Sequence, residues 1–195
     1  HEEIYPIVSA LLLPEYLLNR GIDEDDLAEE LEKMPMEMYR DRAEDISLQM
    51  ADGTLDIEEQ DSNISFELQR VWSDRLIGAS ANDYGKLLAI ISNDELPETA
   101  NEVVRDLLEW PMEINEGNKE RFAHLGAKGG STAFILNDAM YAEDHEGNKI
   151  EFVLLTDDLN IWQHMLLSHN LNSFESQLLG SEDYRLKVQQ TLSES

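Results

Sequence analysis

From Leu125 onward the hydrophobic pattern changes from a helical period to an extended one, and that change constrains the fold more than any other feature of the chain. β-prone runs sit near Leu125–Lys128, Thr132–Ala142 and Lys149–Thr156, and Glu146-Gly147-Asn148 has hairpin-turn chemistry. Successive strands joined by short turns pair antiparallel. Helical segments lie on both sides of them. The expected class is therefore α/β in the α+β sense, an antiparallel sheet packed by helices.

The helices announce themselves mainly through their ends. Ile4 to Leu18 reads as helix, with Pro14 either kinking it or opening a new turn. Gly21 breaks the run, and Asp23 can cap a helix whose first turn carries Glu24, Asp25 and Asp26. Leu27, Leu31 and Met34 form its apolar stripe, and Pro35 ends it. No period persists from Tyr39 to Phe66, which predicts a long acidic surface loop anchored by Ile46, Leu48, Leu55 and Ile57. The alternating Met34, Met36 and Met38 read as loop anchors, Asp52-Gly53 as a turn, and Thr54 to Ile57 as a short strand at most. Ser80 with Asp83 is a capping pair for a helix burying Leu87, Leu88, Ile90 and Ile91 and ending near Asn93. Pro97 starts the next helix, which buries Val103, Val104, Leu107 and Leu108 and closes at Trp110-Pro111. A short helix from Asn118 to Ala123 follows, and another begins at Asp157 or Asp158 with Ile161, Trp162, Met165 and Leu166 inside. The expected organisation is a helical and acidic-loop segment, 1–75, and a helix–sheet segment, 76–195.

Charge narrows the function classes. The chain has 42 acidic against 14 basic residues, a net charge of −28, and 16 of the acids fall between Gly21 and Asp61. Phosphate backbones need basic patches, so nucleic acid is excluded as a partner, and anionic membrane surfaces fail for the same reason. Ile4 to Leu18 is interrupted by Pro6, Ser9, Pro14 and Glu15, well short of the ~18 apolar residues of a membrane span. It lacks a basic leader or cleavage site, so neither membrane insertion nor a signal peptide is expected. With no cysteine, disulfides, thiol catalysis and thiolate metal sites are ruled out. A start at His1 rather than methionine suggests a processed or excised segment. The acidity suits adaptation to a saline medium, with a cationic partner as the other reading. On the saline reading, thermal unfolding shifts upward as salt is added; a flat response assigns the charge to a partner.

The chemically distinctive stretch is His124-Leu125-Gly126-Ala127-Lys128-Gly129-Gly130-Ser131-Thr132. A phosphate loop would place lysine and a hydroxyl after the glycines and open a helix. Here the lysine comes first and a strand follows, so that reading fails. His164 and His169 are five residues apart and do not share a helix face as metal ligands. Asp157-Asp158 suits helix capping better than a hard cation, and His124 reads as a packing or surface residue. No metal or cofactor is expected.

Lys128-Gly129-Gly130-Ser131 resembles the Lys-Thr/Ser-Gly-Ser/Thr element of class A β-lactamases and penicillin-binding serine hydrolases. The order of helix, helix, strand, hairpin and terminal helix is similar to that family's C-terminal portion. Ser80 to Leu88 resembles one of its helices, and Pro14 to Ile22 the helix after its Ser-x-Asn motif, which would put Ser9 on the motif serine with Leu11 in place of the asparagine. The resemblance implies acyl-enzyme chemistry on a small-molecule or peptide-like amide, in a periplasmic or secreted setting. It implies a charge role for Lys128, a ligand-facing backbone at Gly129 and Gly130, an oxyanion-hole N–H from Ser131, and carboxylate binding by the Ser131 or Thr132 hydroxyl. Glu59 with Asn63 has the spacing of the family's deacylating glutamate. The Ser-x-x-Lys nucleophile is missing, since no lysine here has serine three positions before it. The resemblance therefore implies a chain inert alone, the N-terminal part of the fold lying elsewhere. The alternatives are a non-catalytic binding domain retaining the fold, and an unrelated acidic adaptor.

Overall fold

The computed structural model describes residues 5–55 and 65–193. It divides into a first unit, His1–Gly78, and a second, Ala79–Ser195.

In the first unit proline starts helices instead of bending them. Pro6 precedes α1 (Ile7–Leu11), and Pro14 sits in the first turn of α2 (Leu13–Leu18), where its missing N–H costs nothing. Gly21 turns the chain at φ 88°. A 3-10 turn then leads into α3 (Leu27–Lys33), which buries Leu27 and Leu31; Asp23 stands at its start but makes no side-chain capping bond. The acidic loop expected next is instead mostly helix: α4 (Met36–Asp52) runs 17 residues. Its buried residues, Tyr39, Ala43 and Ile46, repeat at helical spacing, and Asp41, Arg42, Glu44 and Asp45 between them are exposed. Leu48, expected as an anchor, is 67% exposed, and Met36 and Met38 belong to the first turn of a helix and not to a loop. Gly53, left-handed at φ 73°, ends α4. Thr54 and Leu55 form no strand, and Ile57 lies outside the described residues. Ser65 accepts the Leu68 amide at 3.1 Å to cap α5 (Phe66–Arg75), which adds Leu68, Val71 and Trp72 to the core. Arg75 ties the bundle together by donating to the Glu32 and Met34 carbonyls, both at 2.7 Å, with its guanidinium 4.9 Å from the Tyr39 ring centre. Burial pushes the Tyr39 phenol up to about 12.

The second unit is a three-stranded antiparallel meander with helices on both faces. In α6 (Ala81–Ser92) the Ser80 hydroxyl accepts the Asp83 amide at 3.1 Å, and Leu88 and Ser92 are buried. Leu87, expected inward, is 55% exposed. Pro97 is the N-cap of α7 (Glu98–Leu108), and Trp110-Pro111 opens α8 (Trp110–Ile114) rather than closing the preceding helix. α9 (Glu116–Arg121) delivers the chain to β1 (Phe122–Ser131), which pairs with β2 (Leu136–Asp144), which pairs in turn with β3 (Lys149–Leu154). Asp144 builds the hairpin turn by accepting the Glu146 and Asn148 amides at 2.9 Å, and Gly147 supplies its φ of 86°. Asn160 and Gln163 form a reciprocal capping box for α10 (Ile161–Gly180). The helix therefore starts after Asp157-Asp158, where Asp157 accepts the Asp158 amide at 2.9 Å. The polar tail forms the second half of α10 and then α11 (Glu182–Ser193).

Strand alternation sorts the side chains onto two faces. Tyr141, Ala139 and Val153 pack with Leu88, Ile91 and Leu108 under α6 and α7. On the other face Leu125 and Ala142 pack with Phe122, Met112 and Leu179, and Phe152 meets Phe174 of α10 edge-on at 5.9 Å. Two expected apolar faces point outward. Val103 and Leu107 are exposed because α7 turns Asn101 and Arg105 inward. Ile161, Trp162, Met165 and Leu166 are all more than half exposed, Trp162 at 80%. Among the described residues no helix is long and apolar enough to cross a membrane.

Candidate functional site

Among the described residues β1 is an edge strand, so one side of its backbone pairs with β2 and the other has no strand beside it. A single hydrogen bond reveals which residues face which way. The Trp110 indole Nε1 donates to the Ala127 carbonyl at 2.9 Å, from the side away from β2. In an extended strand a residue's N–H and C=O point the same way, and the direction alternates along the chain. Gly129 and Ser131, in step with Ala127, thus present their backbone groups to the open edge. The Lys128 amine accordingly donates to the Gly129 carbonyl, and Thr132, out of step, gives its N–H to Ile135 O at 2.9 Å.

The side chains divide in a different way. Lys128 is exposed and shares its face with Gly126 and Tyr141. Ser131 is exposed at the strand's end. The Thr132 hydroxyl accepts the Phe134 amide at 3.2 Å and so takes part in the β1–β2 connection. A Cβ at Gly130 would meet nothing within 4 Å, and one at Gly129 would first meet the Asn137 carbonyl at 3.6 Å. Neither glycine has positive φ. Within this unit the pair is not demanded by crowding or torsion; its effect is to leave the edge backbone bare.

The other expected site residues are distant from this strand in the sequence. Ser9 belongs to the first unit, is 4% exposed, and points its hydroxyl at the Met50 thioether at 3.8 Å. Glu59 and Asn63 lie outside the described residues. His164 contacts Ser168 at 3.4 Å. A cavity of about 390 Å³ opens between the β2–β3 hairpin and the α10–α11 joint, lined by Phe122, Ile150, Leu179 and Arg185 among others; no residue from Lys128 to Thr132 lines it.

Two polar clusters escaped the reading of the sequence. The Glu109 carboxylate, at the end of α7, accepts the Tyr141 hydroxyl at 3.0 Å and faces His124 Nδ1 at 3.0 and 3.2 Å. Arg105 adds a contact at 3.8 Å and reaches Asp94 at 3.0 Å. Burial raises the Tyr141 phenol well above its ordinary value, and the Glu109 charge raises it further. The second cluster is Glu175 of α10 against Asp138 of β2. Glu175 is only 8% exposed, and its carboxyl is pushed up to about 8 by burial first and then by the bond to, and charge of, Asp138. The only sequence signal for either cluster is an acid at an otherwise apolar helical position, which a chain this acidic conceals.

Compared with known protein families, curated proteins and solved structures, the chain finds no match in any of the three.

Proposed function

We propose that this chain is the C-terminal portion of a serine hydrolase of the β-lactamase/penicillin-binding type, acting through an acyl-enzyme on an amide or β-lactam, with its nucleophile supplied by sequence outside these 195 residues. The observation that carries the proposal is the edge strand itself. Lys128-Gly129-Gly130-Ser131 ends an edge strand with the Gly129 and Ser131 backbone turned outward, beneath preceding helices and ahead of a hairpin and a long helix. An acyl carbonyl lying along that edge would meet the Ser131 N–H, a donor able to stabilise the oxyanion that forms only in the transition state. Lys128 supplies positive charge for a substrate carboxylate, a scarce resource in a chain of net charge −28. The exposed Trp162, Met165 and Leu166 give further support, because large apolar patches mark surfaces that another part of a protein covers. The family resemblance also suggests a periplasmic or secreted setting.

The test is intact mass of the natural gene product before and after a reactive penicillin. A protein heavier than 22.3 kDa that gains one adduct supports the reading, and one that gains nothing removes it. Lys128→Ala is expected to abolish the adduct while changing stability by less than about 1 kcal/mol, because the lysine is exposed. Normal acylation by that variant would sink the site assignment. The alternative reading is a non-catalytic binding domain with the same fold. Two observations favour it: no lysine follows a serine at the nucleophile spacing, and the 390 Å³ cavity lies away from Lys128.

A further inference from the structure

We infer that Glu175 and Asp138 share one proton across the contact between α10 and β2, and that this proton sets the position of the Lys128–Ser131 strand. Only the consequence for a substrate rests on the hydrolase reading above; the proton and its coupling to the strand do not.

The geometry leaves little choice. Glu175 is buried on the sheet side of α10, and among the described residues its Oε1 has no hydrogen-bond partner. The neighbouring group is another carboxyl, that of Asp138. Two carboxyls in contact bond only when one of them carries a proton, and ionising both would set like charges together in a desolvated site. Among the described residues no charge offsets that. The side chains of β1 and β3 on this face are Leu125, Ala127, Gly129 and Ser131, and Ile150, Phe152 and Leu154, none of them titratable. On β2 the other acid of this face is Asp144, at the far end and engaged with the hairpin amides. From α11, Tyr184 meets Phe174 ring to ring at 6.0 Å, Glu182 is exposed, and Arg185 donates to the Leu178 carbonyl at 2.7 Å. Arg121 of α9 lies against Gly180, five residues further along α10.

Asp138 is also where the pair reaches the proposed site. It is the cross-strand partner of Gly129 in the β1–β2 register. Its Oδ1 accepts the Ala139 amide at 2.8 Å and lies 3.8 Å from the place a Gly129 Cβ would occupy. Losing the shared proton puts two repelling charges behind the residue whose backbone faces the open edge. The sign follows from linkage. Unfolded, Glu175 loses its proton near 4.5; folded, it keeps it to about 8. The pair's contribution to stability is therefore fully present below the unfolded value, declines as pH rises between the two, and levels off above the folded one.

The experiment is NMR on the natural gene product, with side-chain carboxyl ¹³C in Glu and Asp and backbone ¹⁵N, titrated from about pH 4 to 10 to bracket both values. One glutamate resonance, absent in Glu175→Gln, is expected to titrate near 8, with the Gly129 and Ser131 amides shifting at the same midpoint. In Glu175→Gln those amides are expected to stay flat above about pH 6. If Glu175→Gln does not fold, Asp138→Asn serves: it removes the like charge and the carboxyl bond, so the glutamate midpoint falls. If all glutamates titrate in the ordinary range, there is no shared proton. A high Glu175 midpoint with static Gly129 and Ser131 amides overturns the coupling to the strand. Amides that follow Glu175 in a protein that forms no penicillin adduct would leave the inference standing and defeat the hydrolase reading.

Discussion

Gly126→Ala is expected to destabilise the second unit by about 3 kcal/mol or more, near the upper end of overpacking costs. A Cβ at Gly126 would lie 2.3 Å from Tyr141 Cε1, 2.5 Å from Cζ and 2.8 Å from the hydroxyl. Contacts that short require something to move. The ring has nowhere to go, because Tyr141 is fully buried and its hydroxyl is held by Glu109 at 3.0 Å. Nor can β1 retreat cheaply, since Gly126 and Tyr141 face each other in the strand register. Urea unfolding monitored by tryptophan fluorescence measures the loss. A change smaller than about 0.5 kcal/mol, typical of surface positions, would mean that the ring does not cover Gly126. Shortening Tyr141 to Leu in the same protein should recover part of the loss, a positive coupling in a double-mutant cycle.

The second large effect is expected at Glu109. Replacing it with Ala leaves the Tyr141 hydroxyl buried without an acceptor, removes the partner of His124 Nδ1, and strips Arg105 of one of its two carboxylates. Orphaning buried polar groups costs more than the bonds themselves are worth, so a loss of about 2–4 kcal/mol follows. Glu109→Gln keeps an acceptor for the tyrosine and should lose less. Tyr141→Phe deletes a donor and leaves the ring in place over Gly126, so it should cost only about 1 kcal/mol. The same unfolding measurement orders the three. If Glu109→Ala proved no worse than Tyr141→Phe, the carboxylate would not be the hub of the cluster.

What could be read from the sequence was the part written in local chemistry. Ser80 with Asp83, Gly53 after Asp52, and the Asp144–Asn148 turn each satisfy backbone groups within a few residues, and each stands where its residue types predict. The three strands followed from their change of period. By contrast α4 was hidden because only Tyr39, Ala43 and Ile46 mark its buried face, and a small alanine is a weak signal between charged neighbours. In α7 the pattern pointed the wrong way. Valine and leucine at 103 and 107 look like a buried stripe, but the Asn101–Arg105–Glu109 network takes the inward side. For the candidate site, the strand and its lysine were legible, whereas the direction of each N–H was not, because it is set by the β1–β2 register, which the bond from a tryptophan seventeen residues before its acceptor only reveals. That Thr132 also accepts a hydrogen bond in the β1–β2 connection was not legible either, because hydroxyl types suit ligands and turns alike. A buried acid such as Glu175 is a tertiary event with no local trace.

The Trp110 bond also bears on how such a strand avoids becoming a seed for aggregation. A bare sheet edge is a template for any extended chain that collides with it. Along β1 the indole stoppers the outward carbonyl of Ala127, and the Lys128 amine folds back over that of Gly129. What remains open is a short stub ending in glycine and serine, residues that make poor β-zippers, on a chain whose −28 charge repels its own copies. Accessibility and colloidal safety are thus assigned to different residues of one strand: the tryptophan guards the first half so that the second half can stay exposed.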